Sequence, residues 1–139
     1  MVILNSQQQR PTYLAGKTSL RGRPMFVIAP TASQPSAAFV SVAVPDAARI
    51  GKLLRQHMIV RTEADADGVE ARANDLARAT TAIRSGAQIV VTDYPVPDPT
   101  VGTYVVKLPT TAVARCDPVT APRRCRDRAV ENAPGLAVP

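Results

Sequence analysis

The side chains best suited to chemistry in this chain stand at the ends of short apolar runs. Asn5 and Ser6 follow residues 1–4, Ala29 and Pro30 follow residues 25–28, Arg61 and Thr62 follow residues 58–60, and Thr92, Asp93 and Tyr94 follow residues 88–91. If the runs are parallel strands, these positions sit at the carboxyl ends, where α/β structures bind ligands. Arg61 and Asp93 stand out among them. A guanidinium presents two parallel N–H donors that match phosphate oxygens. An aspartate at the same end can orient a hydroxyl, hold a cation or pair with the arginine. Two readings stand side by side: both residues line a phosphate-binding mouth, or they form a structural ion pair across adjacent strands.

Other candidate groups carry less. Glu63, Asp65 and Asp67 alternate as E-A-D-A-D. Spaced carboxylates can take calcium, but the glycine and closing glutamate of a helix–loop–helix calcium loop are not in place. The segment reads as a polar loop in which Asp67 caps the next helix. His57, the single histidine, stands just ahead of an apolar run and so at the end of the sheet away from the ligand. Its place is at a helix C-terminus, facing the negative end of the dipole. One histidine supplies no acid/base pair and no four-ligand zinc set. There is no Gly-rich phosphate loop and no G-x-S-x-G. Cys116 and Cys125 lie in a Pro-rich stretch; they either close a local disulfide in an oxidising compartment or are two free thiols.

The elements that must position these groups follow from the apolar pattern. The four runs are short, without alternation, and Val-, Ile- or Met-rich, as expected of strands buried on both faces of a parallel sheet. Residues 46–57 place Ile50, Leu53 and Leu54 on one helical stripe, with Pro45 and Asp46 as the start signal. Residues 68–85 read as one longer helix, with Val69, Ala73, Leu76, Ala77, Thr80 and Ile83 inward and Glu70, Arg72, Asp75, Arg78 and Arg84 outward, stopped by Gly86. Residues 11–14 form a short helix, 31–36 a loop, 39–44 a short strand or extended packing segment, and 104–108 an extended piece. From Pro95 onward frequent prolines exclude helix interiors, and the last dozen residues read as disordered. Strands alternating with helices at roughly 30-residue intervals indicate βαβ units.

Length and charge narrow the function classes. The 139 residues fit one domain with a real core but fall short of the about 250 of a full eight-stranded barrel. Hydrophobic residues are 45% of the chain and aromatic ones only 4%, so the core must come from Val, Ile, Leu and Ala. The net charge of +6 is compatible with phosphate, nucleic acid or anionic surfaces. The cations fall into two loose groups, Arg10 to Arg23 and Arg115 to Arg128, with no dense basic run and no interleaved aromatics for base stacking. Nucleic acid is therefore not expected as a partner. The apolar run at the start has four residues, too short for an export signal or a membrane span.

Three stretches resemble one family: S-L-R-G-R-P-M-F at 19–26, V-R-T-E-A-D-A-D-G-V-E-A-R-A-N-D at 60–75, and S-G-A-Q-I-V-V-T-D-Y-P-V-P at 85–97, followed by A-V-A-R-C-D-P-V at 112–119. Together they are similar to the end of calcium-dependent phosphoinositide phospholipase C proteins, a TIM-barrel group allied to glycerophosphodiester phosphodiesterases. The resemblance implies an α/β fold in which residues 1–108 are the C-terminal half of a parallel (β/α)8 barrel, strands five to eight, and residues 109–139 an irregular Pro-rich tail. In that family a histidine pair does the acid/base work on a phosphodiester, and a calcium held by early-strand side chains neutralises the phosphate. Those residues belong to the amino-terminal half, so none is carried over. Only Arg61, Asp93 and Tyr94 transfer, as mouth-lining positions. Calcium, a phosphoinositide substrate and an extracellular or periplasmic setting are implied for the complete enzyme, with no calcium bound by this chain alone. Half a barrel leaves strand edges and an inner face open, which calls for the missing half or self-association. The alternative reading is a non-catalytic assembly or binding module that pairs through those edges.

Overall fold

Five short strands pair with their neighbours in parallel and in chain order. They are β1 (Ile3–Leu4), β2 (Phe26–Val27), β3 (Phe39–Val42), β4 (Ile59–Glu63) and β5 (Ile89–Val91) in a computed structural model that describes residues 1–29, 31–109 and 114–131. β1 and β2 form one sheet, and β3, β4 and β5 the other. A parallel bridge from Ile28 to Phe39 links the two, and the Ala29 amide donates to the Phe39 carbonyl at 2.9 Å. Pro30, named above as a strand-end position, lies outside the described residues.

The strand β3 settles the segment that the sequence left as strand or packing piece. It is a full member of the sheet, with four pairs to β4 from Phe39↔Ile59 to Val42↔Thr62. Five strands therefore replace the four expected. Ser41 interrupts the apolar run and obscured it, yet Phe39 and Val40 are almost fully buried.

Paired residues share a face of the sheet. Val40, Val42 and Val60 join Ile50, Leu53, Leu54 and Met58 in the main core under the helix α2 (Ala47–Arg55). A second cluster sets Ala64 and Val90 against Ala79 and Ala82 of the helix α4 (Ala77–Arg84). The small alanines let this helix approach closely. The opposite face carries Phe39, Ser41, Ile59, Arg61, Glu63, Ile89 and Val91 by register. On that face Phe39 is fully buried, and the other six are half-buried.

Helix ends follow local chemistry. Asp46 caps α2, its Oδ1 accepting from the Arg49 amide at 2.9 Å. At the other end the Met58 amide reaches back to the Leu53 carbonyl, and His57 takes φ 59°. This is the Schellman arrangement, with histidine where glycine is usual and Leu53 and Met58 as its apolar contact. The single helix expected over 68–85 is two: α3 (Val69–Ala73) and α4. Asn74 adopts φ 49°, the Asp75 amide bonds the Glu70 carbonyl, and Asp75 Oδ1 then accepts from the Ala77 amide. Asn and Asp compete with helical bonds through their own side chains, so Asn74–Asp75 ends one helix and starts the next. Asp67 does not cap α3; it has φ 51°, Gly68 is the cap position, and no side chain bonds there. The short helix α1 (Arg10–Leu14) matches the sequence reading.

The tail folds back on the body. Residues 104–108 form no strand, though Tyr104 is fully buried and the Val106 amide donates to the Tyr94 carbonyl. Cys116 and Cys125 are joined in a disulfide, and Arg115 donates to the Ile83 carbonyl. Val119 packs where a Gly86 side chain would stand: a Cβ there would lie 2.6 Å from it and 3.0 Å from Leu54. A short helix α5 (Asp127–Glu131) includes the first four of the dozen residues expected to lack structure; the other eight, 132–139, lie outside the described residues, as do 110–113.

Candidate functional site

The carboxyl ends of β3, β4 and β5 gather a charged network that ties three connections together. Arg78 is its hub. From α4 its Nη1 reaches Glu70 Oε1 at 3.1 Å, its Nε the Glu63 carbonyl at 3.2 Å and its Nη2 the Ala43 carbonyl at 3.1 Å. Its side chain is only 18% exposed and that of Glu70 14%. Both were expected on the outer face of one long helix; Arg78 turns inward because the break at Asn74 re-aims the start of α4, and Glu70 turns to the backbone just ahead of α3. Glu70 Oε2 also accepts from the Ala66 amide at 2.9 Å. That bond, with its own amide and Arg78, holds the Glu70 carboxyl below the usual carboxylate range against the effect of burial.

On the sheet face opposite the main core, Arg61 Nη1 bonds Glu63 Oε1 at 2.8 Å and Ser41 Oγ at 3.1 Å. Glu63 Oε2 lies 3.7 Å from Arg78. Arg61 therefore pairs with Glu63, two residues along its own strand, and not with Asp93 across strands. Residues i and i+2 of a strand share a face, so R-T-E already places this pair together. Ser41, Arg61 and Glu63 are the polar group on a face otherwise made of Phe39, Ile59, Ile89 and Val91.

The tip of β5 is fixed from below. Asp65 is 5% exposed. Its Oδ2 accepts from Thr92 Oγ1 at 2.5 Å and its Oδ1 from the Asp93 amide at 3.0 Å. Thr92 Oγ1 in turn accepts from the Tyr94 amide at 3.0 Å. Asp93 is held by its backbone and leaves its side chain exposed. Tyr94 stacks edge-to-face on Tyr104 at 5.4 Å, and its hydroxyl lies against Gly68, where a Cβ would come within 2.9 Å. Gly68 has φ 68°, so both its conformation and its missing side chain serve this approach. Burial, reinforced by Asp65, Glu70 and Asp75, pushes the Tyr104 hydroxyl up to about 12.

Of the three mouth positions expected from sequence, Tyr94 and Asp93 share the β5 tip, while Arg61 sits with Ser41 and Glu63. Glu70, Arg78 and Tyr104 were not expected as site residues, and Asp65 was weighed only as part of a calcium loop. The E-A-D-A-D alternation was the available signal for Asp65; only tertiary structure shows that it holds the β5 tip. For calcium, the donors do not fit. Asp65 is engaged by Thr92 and Asp93, Glu63 by Arg61 and Arg78, and Glu70 by Arg78 and Ala66. Among the described residues no group of three or more His, Cys, Asp or Glu is placed to hold a metal ion. His57 stands at the opposite end, ahead of β4. No helix among the described residues is long and apolar enough to cross a membrane.

The model of one protein family, described as phosphoinositide phospholipase C, Ca2+-dependent, matches residues 1–118. No curated protein and no solved structure matches the chain.

Proposed function

Since the chain belongs to the calcium-dependent phosphoinositide phospholipase C family, we propose that it forms the C-terminal wall of a barrel phosphodiesterase and contributes the phosphate-facing side of its mouth. The observation that carries this reading is the Ser41–Arg61–Glu63 group on an otherwise apolar sheet face. Five parallel strands in chain order fit consecutive staves of a (β/α)8 barrel, whose interior this face would line. Arg61, steadied by Ser41 and Glu63, would present its remaining N–H groups to a phosphodiester oxygen, and Asp93 and Tyr94 would border the substrate from the β5 tip. Calcium in this family would neutralise the phosphate charge; its ligands and the acid/base groups would come from strands outside this chain. Alone, the chain would then be inactive. Its purified form, given phosphatidylinositol and calcium, should release no inositol phosphate; turnover that disappears with a chelator would overturn the reading.

A second reading rests on the sheet edges. Among the described strands β1 has β2 as its one neighbour and β5 has β4. Unpaired backbone along an edge can template association. A non-catalytic module pairing through those edges would migrate as a defined dimer in size-exclusion chromatography with light scattering.

A further inference from the structure

Charge is segregated along the strand axis, and the end opposite the mouth is basic. All eight acidic residues from Asp46 through Asp98, of eleven in the chain, lie at or beyond the carboxyl ends of β3, β4 and β5. Their charges are largely answered there by caps, Arg61 and Arg78. The segments that lead into the amino ends of the strands carry the opposite sign. Lys17 and Arg21 precede β2, Lys52 and Arg55 close α2 ahead of β4, and Arg84 closes α4 ahead of β5. The disulfide loop adds Arg123 and Arg124 at this same end, because Val119 is seated against Gly86 and Leu54. All seven are exposed, and none makes an ion pair with a described residue. Two carboxylates of the tail are turned onto backbone amides: Asp117 onto Val119 and Thr120, Asp127 onto Cys116.

We infer that this basic end is a docking surface for an acidic polysaccharide. Cations carried by two helix ends and two loops suit a flexible anionic chain that can follow them. Recognition of nucleic acid would call for stacking rings or a groove-filling helix, and the longest described helix has nine residues. Docking to an anionic bilayer through this end would turn the mouth away from the lipid. The disulfide is part of the same loop, and such bonds persist in oxidising compartments, where charged glycans are the polyanions at hand. Setting the bilayer aside rests on the proposed phosphodiesterase role, whereas heparin binding is read without any substrate turnover.

The test uses the full chain and heparin as the probe. The Arg55→Gln/Arg123→Gln/Arg124→Gln variant is compared with the Arg10→Gln/Arg49→Gln/Arg72→Gln variant, which loses the same charge at the carboxyl ends of the strands. Circular dichroism first establishes that both keep the parent's fold. The parent should bind heparin with a steep salt dependence. The first variant should lose about one unit of salt slope per cation removed and at least tenfold in affinity, and the second less than threefold. Equal losses would reduce the effect to net charge and overturn the inference. So would tighter binding to phosphatidylglycerol vesicles, or equal affinity for duplex DNA.

Discussion

Replacing Arg78 by alanine tests whether the network at the strand ends holds the structure together. The guanidinium makes three hydrogen bonds, two to carbonyls that close β3 and β4 and one to Glu70. Bonds to charged groups contribute about 1.5–3 kcal/mol each, but they are not additive within one network. At 18% exposure water screens part of the interaction, and in the variant Glu63 keeps Arg61 while Glu70 keeps the Ala66 amide. We therefore expect a loss of about 3 kcal/mol, against a total of about 5–15 kcal/mol for an ordinary domain. For a chain of this size that is a fall in Tm of about 10 °C. Urea unfolding followed by circular dichroism should show a lower midpoint at an unchanged slope. Arg78→Lys keeps the charge but not the fork and should lose about half as much. A loss under about 1 kcal/mol for Arg78→Ala, the range of surface pairs, would refute the reasoning.

Three further outcomes follow from single sites. His57→Gly should stabilise the chain by about 0.5–1 kcal/mol, because a left-handed conformation strains histidine and its side chain makes no described bond; a destabilised variant in the same urea assay would contradict this. Asp65→Asn should cost about 1–2 kcal/mol, since the amide nitrogen must face either the Thr92 hydroxyl or the Asp93 amide. Hydrogen exchange should then show the Asp93 amide losing protection, and unchanged protection would deny Asp65 its positioning role. For Tyr104, the folded value near 12 exceeds the ordinary value of about 10. The unfolded state thus releases this proton first, and stability is full below about pH 10 and falls as pH rises toward 12. Near-ultraviolet titration should show one of the three tyrosines ionising last, with unfolding; three coincident titrations would contradict its burial.

Much of this architecture is legible in the residues, and the departures have specific causes. Continuous apolar runs mark β1, β2, β4 and β5, and Asp46 with its following stripe marks α2. The strand β3 was harder to read because Ser41 bonds Arg61 on the face opposite the main core, so its polarity carries site information and masks strand character. The break at Asn74–Asp75 was hidden because apolar periodicity continues through it, while the decisive signals are two residues that favour turns over helix. The Arg61–Glu63 pair could have been read from period-two spacing alone. By contrast, Asp65 reaching Thr92, Arg78 reaching Ala43 and Val119 filling the space at Gly86 are contacts over 27 or more positions, which no local pattern encodes.

The most direct test of the central claim is calcium-dependent phosphatidylinositol hydrolysis by the chain joined to the amino-terminal half of a protein of this family. The account predicts turnover by the joined protein and none by the chain alone. It further predicts a loss of at least tenfold in kcat/KM when Arg61→Gln is introduced into the joined protein. Activity of the chain alone, or a joined protein that hydrolyses equally well without Arg61, would contradict it.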